Sequence, residues 1–128
     1  MEIDIPEVRA EVQAAFVRYE QALIGNDVPT LTELFWADPR TIRYGGGENL
    51  YGFADIEAFR VARSPLGLGR TTERTVITTF GRDFATTSTL FRRETTPGKI
   101  GRQMQTWVRF PQGWRVVAAH VSVISEPI

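Results

Sequence analysis

The sequence predicts an α+β fold in which helices and strands are segregated along the chain. Two observations carry this. Apolar residues recur at helical spacing through the first half, whereas the second half is a series of β-branched and aromatic runs separated by turn residues. That order gives helices, a short strand pair, a further helix and then an antiparallel meander, and it does not match the strand–helix alternation of a parallel sheet.

Pro6 suits a first helical turn, and Val8, Val12, Ala15, Phe16, Tyr19 and Leu23 then share one face. Gly25 and Asn26 end this helix. Asp27 caps the next, on which Leu31, Leu34 and Phe35 align until Pro39 stops it. Thr41 to Tyr44 reads as a short strand. A third helix runs from Phe53 to Arg63, with Ile56, Phe59 and Ala62 on one side, and Ser64-Pro65 with two following glycines breaks it. The meander comprises Thr71–Phe80, Phe84–Arg92, Ile100–Phe110 and Trp114–Ile124. Its turns fall at Gly81-Arg82-Asp83, Thr96-Pro97-Gly98-Lys99 and Pro111-Gln112-Gly113. On the last strand Val117, Ala119, Val121 and Val123 make one face apolar, and Trp114, Val116, Ala118, His120 and Ser122 make the other. Helices can cover one face, and a second subunit is the simplest cover for the other, so a homodimer is expected.

The composition narrows the function. The 128 residues suffice for one domain with a single core, spanning 1–128. Lys+Arg and Asp+Glu both number 15, so no charge excess points to nucleic acid or an anionic membrane. Without cysteine there is no disulfide, thiol nucleophile or thiolate metal site, and one histidine cannot build a multi-histidine centre. No metal or organic cofactor is implied. The acidic start, Met1-Glu2-Ile3-Asp4, differs from a secretory signal, and no apolar run reaches membrane-spanning length; the expected location is the cytoplasm.

The stretch WADPRTIRYGGGENLYG, residues 36–52, places Arg43 inside an apolar strand and follows it with three glycines. Glycine lets backbone turn and pass closely, but no Gly-Lys-Ser/Thr follows, so this is not a phosphate loop. Arg43 can either pair with Glu48 and brace the loop or present its fork to a carboxylate. Tyr19 is either a core tyrosine or a hydrogen-bond donor to a ligand. Trp36 and Tyr44 are candidate pocket walls. Gln103, Gln105 and Trp107 alternate on one face of their strand, opposite Arg102, Met104 and Thr106; Gln105 and Trp107 are taken as facing the cavity. His120 is either a structural histidine or a pocket residue. Arg60, Arg63, Arg70 and Arg74 are read as a solvated or entrance-lining positive region.

Three stretches carry a family resemblance: GNDVPTLTELFWADPRTIRYGGGENLYG, RTVITTFGRDFATT and IGRQMQTWVRF with GWRVVAAHVS. With the first helix they span nearly the whole chain. Their order resembles the SnoaL-like, or nuclear-transport-factor-like, superfamily, and within it the AtzH-like family, which includes the oxalurate-catabolism protein HpxZ. The resemblance implies a cone: a curved antiparallel sheet wrapped around the N-terminal helices, with a pocket inside. It also implies a place beside amidases in nitrogen catabolism. One branch acts in cyanuric acid breakdown as a decarboxylating amidohydrolase converting 1,3-dicarboxyurea to allophanate, with a tyrosine and an arginine that carry over to Tyr19 and Arg43. Ketosteroid isomerases in the superfamily set a tyrosine and an aspartate base at these two places. An arginine is no base near neutral pH, so steroid isomerisation is disfavoured. The expectation is an enzyme for a small anionic carboxylated urea or related ureide. The alternative is a non-catalytic binding or accessory protein for an amidase.

Overall fold

The computed structural model describes residues 1–127. Three helices, α1 (Pro6–Ile24), α2 (Val28–Glu33) and α3 (Phe53–Ala62), lie with six strands: β1 (Ile42–Tyr44), β2 (Asn49–Tyr51), β3 (Thr71–Phe80), β4 (Phe84–Arg92), β5 (Lys99–Phe110) and β6 (Gly113–Ser125). The strands form one curved open sheet in the order β2-β1-β6-β5-β4-β3. The β1–β6 pair is parallel and the other four are antiparallel. Long hairpins build the β3–β6 wall, and the short β1–β2 hairpin extends it, which carries Arg43 to the inside of the sheet.

The helices begin where their sequences ask them to. Pro6 sits in the first turn of α1, where its missing N–H costs nothing, and the Asp27 carboxylate accepts from the Thr30 N–H at 3.2 Å to cap α2. Val8, Val12, Phe16, Tyr19 and Leu23 are buried as the spacing predicts, together with Glu20, which it did not select. Their packing partners include Leu31, Leu34, Phe35, Ile56, Trp107, Trp114 and Val116, which form the core at one end of the sheet. The opposite end, around Phe91, Gln103, Val121 and Val123, is left as a cavity.

Three local expectations are corrected. First, α2 ends well before Pro39, because the chain leaves the helix to join the sheet: Leu34 C=O accepts from Val116 N–H at 2.8 Å, and Trp36 N–H donates to Val116 C=O at 3.0 Å. Second, α3 turns Ala62 to solvent and buries Arg60 with Ile56. Third, β6 does not keep one parity. Trp107 pairs with Val116 and Thr106 with Ala118, so Val117 is an extra residue opposite a continuous β5. This bulge exchanges the faces: Trp114 and Val116 are buried before it, and Ala119 is buried after it, while Ala118 and His120 are exposed. No described helix is long and apolar enough to cross a membrane.

Candidate functional site: an arginine-lined pocket around Tyr19

The cavity measures about 350 Å³, within the size range of small-molecule sites. Tyr19 of α1, Arg43 of β1, Arg63 after α3, Arg70 before β3, Arg93 after β4 and Gln103 of β5 reach it from six parts of the chain. Apolar walls come from Leu23, Phe59, Phe91 and Val121 among others.

Arg43 is held by a local device. Its Nη1 donates to Glu48 Oε1 at 2.8 Å, and the other carboxylate oxygen of Glu48 accepts from Gly47 N–H at 3.2 Å. A Cβ on Gly45 would stand 1.8 Å from Glu48 Oε1 and 3.0 Å from Arg43 Nη1, so a larger residue there would displace the Glu48 carboxylate from this ion pair. The pair occupies one nitrogen of Arg43. Its buried Nε has no partner, and the guanidinium lies over the Phe59 ring at 5.4 Å. Arg43 thus braces the loop through Glu48, and one of its donors is left unspent.

On the other side, Arg70 Nε donates to Glu20 Oε2 at 3.1 Å and Arg70 Nη2 to Gln103 Oε1 at 2.8 Å, while Gln103 Nε2 donates to Glu20 Oε1 at 3.3 Å. The triangle fixes Arg70 over the Phe91 ring at 4.3 Å, and Arg93 covers the same ring at 5.0 Å. Arg93 Nε and two nitrogens of Arg63 are buried without partners.

The Tyr19 side chain is enclosed between these groups. Arg60 Nη2 donates to its hydroxyl oxygen at 3.4 Å, and among the described residues the hydroxyl donates to no protein acceptor. Burial raises the pKa of this phenol, but the positive charges of Arg60, Arg43 and Arg70 outweigh burial and bring it below the ordinary value. The arginines act on each other in the opposite sense. Burial, then Arg60 and Arg43, lowers Arg63 to about 10, and burial with Arg70 lowers Arg93. A guanidinium at about 10 still carries its charge at neutral pH. Arg43, Arg60, Arg63, Arg70 and Arg93 thus crowd around two carboxylates, Glu20 and Glu48, and the balance is positive. Crowded cations with unused N–H groups favour an anion that brings charge and acceptors together.

Of the residues expected at a pocket, Tyr19, Arg43 and Glu48 come together. The others lie elsewhere. Trp36 stacks on Phe110 at 5.2 Å beneath Arg40, away from the cavity. Tyr44 and His120 meet edge-on at 6.2 Å on the outer side of the sheet, where Tyr44 also shares a 3.1 Å hydrogen bond with Tyr51. The bulge at Val117 put His120 there. Gln105 and Trp107 do face inward, but they lie in the core beside Thr87 and do not line the cavity: Trp107 Nε1 donates to the Thr87 hydroxyl at 3.1 Å, and that hydroxyl donates to Gln105 Oε1 at 3.2 Å. Gln103, two residues earlier on the same face, is the one that reaches the cavity. Arg60, Arg63 and Arg70 are not a solvated patch: Arg63 and Arg70 line the cavity, in keeping with the entrance-lining alternative, and Arg60 is buried behind it, while exposed Arg74 takes a positive φ at a β3 bulge. The signal for the first two was present, since Ile56, Arg60 and Arg63 follow the same helical spacing as a buried stripe. No three described His, Asp or Glu side chains cluster as metal ligands.

The chain matches the AtzH-like family over residues 1–127. It is similar to a Pectobacterium atrosepticum protein of unknown function, with 59% identity, 96% of this chain and 95% of that one covered, and a TM-score of 0.94. It is also similar to a cystatin-like fold protein from Burkholderia xenovorans, with 51% identity, 99% of each chain covered and a TM-score of 0.95. An NTF2-like protein of unknown function from Pseudomonas putida shares the fold, at 17% identity, coverage of 91% and 86%, and a TM-score of 0.79. No curated protein matches the chain.

Proposed function

Because the chain belongs to the AtzH-like family, we propose that it removes carbon dioxide from a small N-carboxylated urea such as 1,3-dicarboxyurea or a related ureide. The observation that carries this reading is the set of buried, unpartnered guanidinium donors around a Tyr19 hydroxyl that donates to nothing in the protein. Arg43 grips a carboxylate of the substrate, and Arg63 and Arg93 add charge around it. Tyr19 gives its proton to the nitrogen that carries the departing carboxylate. The C–N bond breaks with its electron pair left on nitrogen, carbon dioxide leaves, and 1,3-dicarboxyurea becomes allophanate. Solvent then returns the proton to Tyr19. A phenol made more acidic by neighbouring cations is the better donor near neutral pH, and general acid help of this kind is worth about 10²–10⁴-fold.

The test is release of carbon dioxide from 1,3-dicarboxyurea by the purified chain, measured above the spontaneous rate. Acceleration supports the enzyme. Saturable binding of a stable dicarboxylate without acceleration assigns the chain to the accessory role beside an amidase. The same proposal makes the protein a homodimer through the outer face of its sheet, where Met104 and Val76 stand exposed.

A further inference from the structure

Arg60 stands apart from the other arginines of the site. It is 1% exposed, yet it does not line the cavity, so it is in no position to hold a ligand. No carboxylate pairs with it among the described residues. Its guanidinium is wedged between the Phe35 ring at 4.9 Å and the Tyr19 ring at 5.7 Å. Nε and Nη1 have no partner, and the hydrogen bond it makes runs from Nη2 to the Tyr19 hydroxyl. A buried charge without a counter-charge is a costly way to fill core volume, and an apolar side chain of similar size would serve packing better. Its one polar contact is with the residue that faces the cavity.

We propose that Arg60 is a positioning residue that acts through Tyr19: from behind, it fixes the phenol oxygen as an acceptor and so leaves the hydroxyl proton aimed at the cavity. The charged groups around that phenol are Glu20 on α1, Arg43 and Glu48 at β1, Arg60 and Arg63 on the α3 side, and Arg70 and Arg93 at the sheet. Arg60 is the one of these that touches the oxygen without reaching the ligand space. The inference deepens the reading of Tyr19 as proton donor, but its test needs no substrate, so the two can fail separately.

In a chain carrying Tyr44→Phe and Tyr51→Phe, Tyr19 is the sole remaining phenol, and tyrosinate absorbance reports it alone. Its midpoint should lie below the free value of about 10. Arg60→Met should raise that midpoint by about one unit or more, and Arg60→Lys should recover part of the shift. Where turnover is measurable, kcat should fall by more than KM rises, because Arg60 touches the phenol and does not line the cavity. Should Arg60→Met fail to fold, Arg60→Gln is read in its place. An unchanged midpoint in the folded neutral variant overturns the proposal. So does a parent midpoint at or above the free value, whatever the variants do.

Discussion

Arg43 meets two demands with one side chain. Its Nη1 bond to Glu48 holds it in place, and its unpartnered Nε is the donor that the proposed carboxylate contact uses. Lysine would keep the charge but lose the planar fork, so it cannot hold Glu48 and a ligand together in this geometry. Titration of malonate into the wild type, Arg43→Lys and Arg43→Ala should therefore give at least a tenfold loss of affinity in both variants, of the order expected for one charge-assisted hydrogen bond. Equal affinity in all three removes Arg43 from binding. Tyr19 and Arg43 were legible in the sequence through the family resemblance, and Glu48 through the short reach from Arg43. Gln103 was legible as a member of one strand face, but its partners were not; Glu20 and Arg93 gave no signal, because a buried polar residue gives no pattern until its partners, many residues away, are in place.

The strands carry the site as much as the residues do. Gly101 on β5 faces Phe91 on β4, and a Cβ there would lie 2.1 Å from the Phe91 ring. The missing side chain lets that ring lie flat as the platform for Arg70 and Arg93. Gly101→Ala should push Phe91 aside, lower stability by about 1–3 kcal/mol as overpacked cores do, and weaken malonate binding through two arginines it never touches. Chemical denaturation and calorimetry would check both, and a variant with wild-type binding would show that the platform is not needed. All four meander strands were legible to within a residue at their ends, because turn residues and β-branched runs mark them locally. The Val117 bulge was not. It inserts one residue between apolar neighbours, and both faces of β6 read alike whether or not the parity changes. That single residue is why His120 was expected near the pocket and stands outside it.

Across the whole molecule, the segregation of helices from strands determines where the cavity lies and which face of the sheet the helices leave uncovered. The helices fill the core end of the concave face, and the arginine pocket occupies what they leave. The convex face carries a row that crosses five strands in register, Tyr44, His120, Met104, Ser88 and Val76. Met104 at its centre is 58% exposed and Val76 at its end 56%, and these exposed apolar side chains on one face fit the proposed dimer contact. Sedimentation at micromolar concentration should give about twice the 14.4 kDa chain mass. Met104→Asp should halve that mass without unfolding the chain, since the side chain is not part of the core. A monomeric wild type would end the dimer proposal. The α+β class was legible from element order alone, but the cone and its cavity were not: curvature comes from strand pairing and bulges, and only the resemblance pointed to them.

The central claim is that the Tyr19 hydroxyl donates a proton in the cavity and does not merely fill it. Tyr19→Phe keeps the ring and deletes only the hydroxyl. The decisive measurement compares the two proteins for carbon dioxide release from 1,3-dicarboxyurea, each corrected for spontaneous loss, with melting recorded in parallel. The account predicts that stability changes by no more than about 1 kcal/mol while the enzyme-dependent rate falls by roughly two orders of magnitude or more. A Tyr19→Phe protein that matches the wild-type rate would contradict it and return Tyr19 to the core.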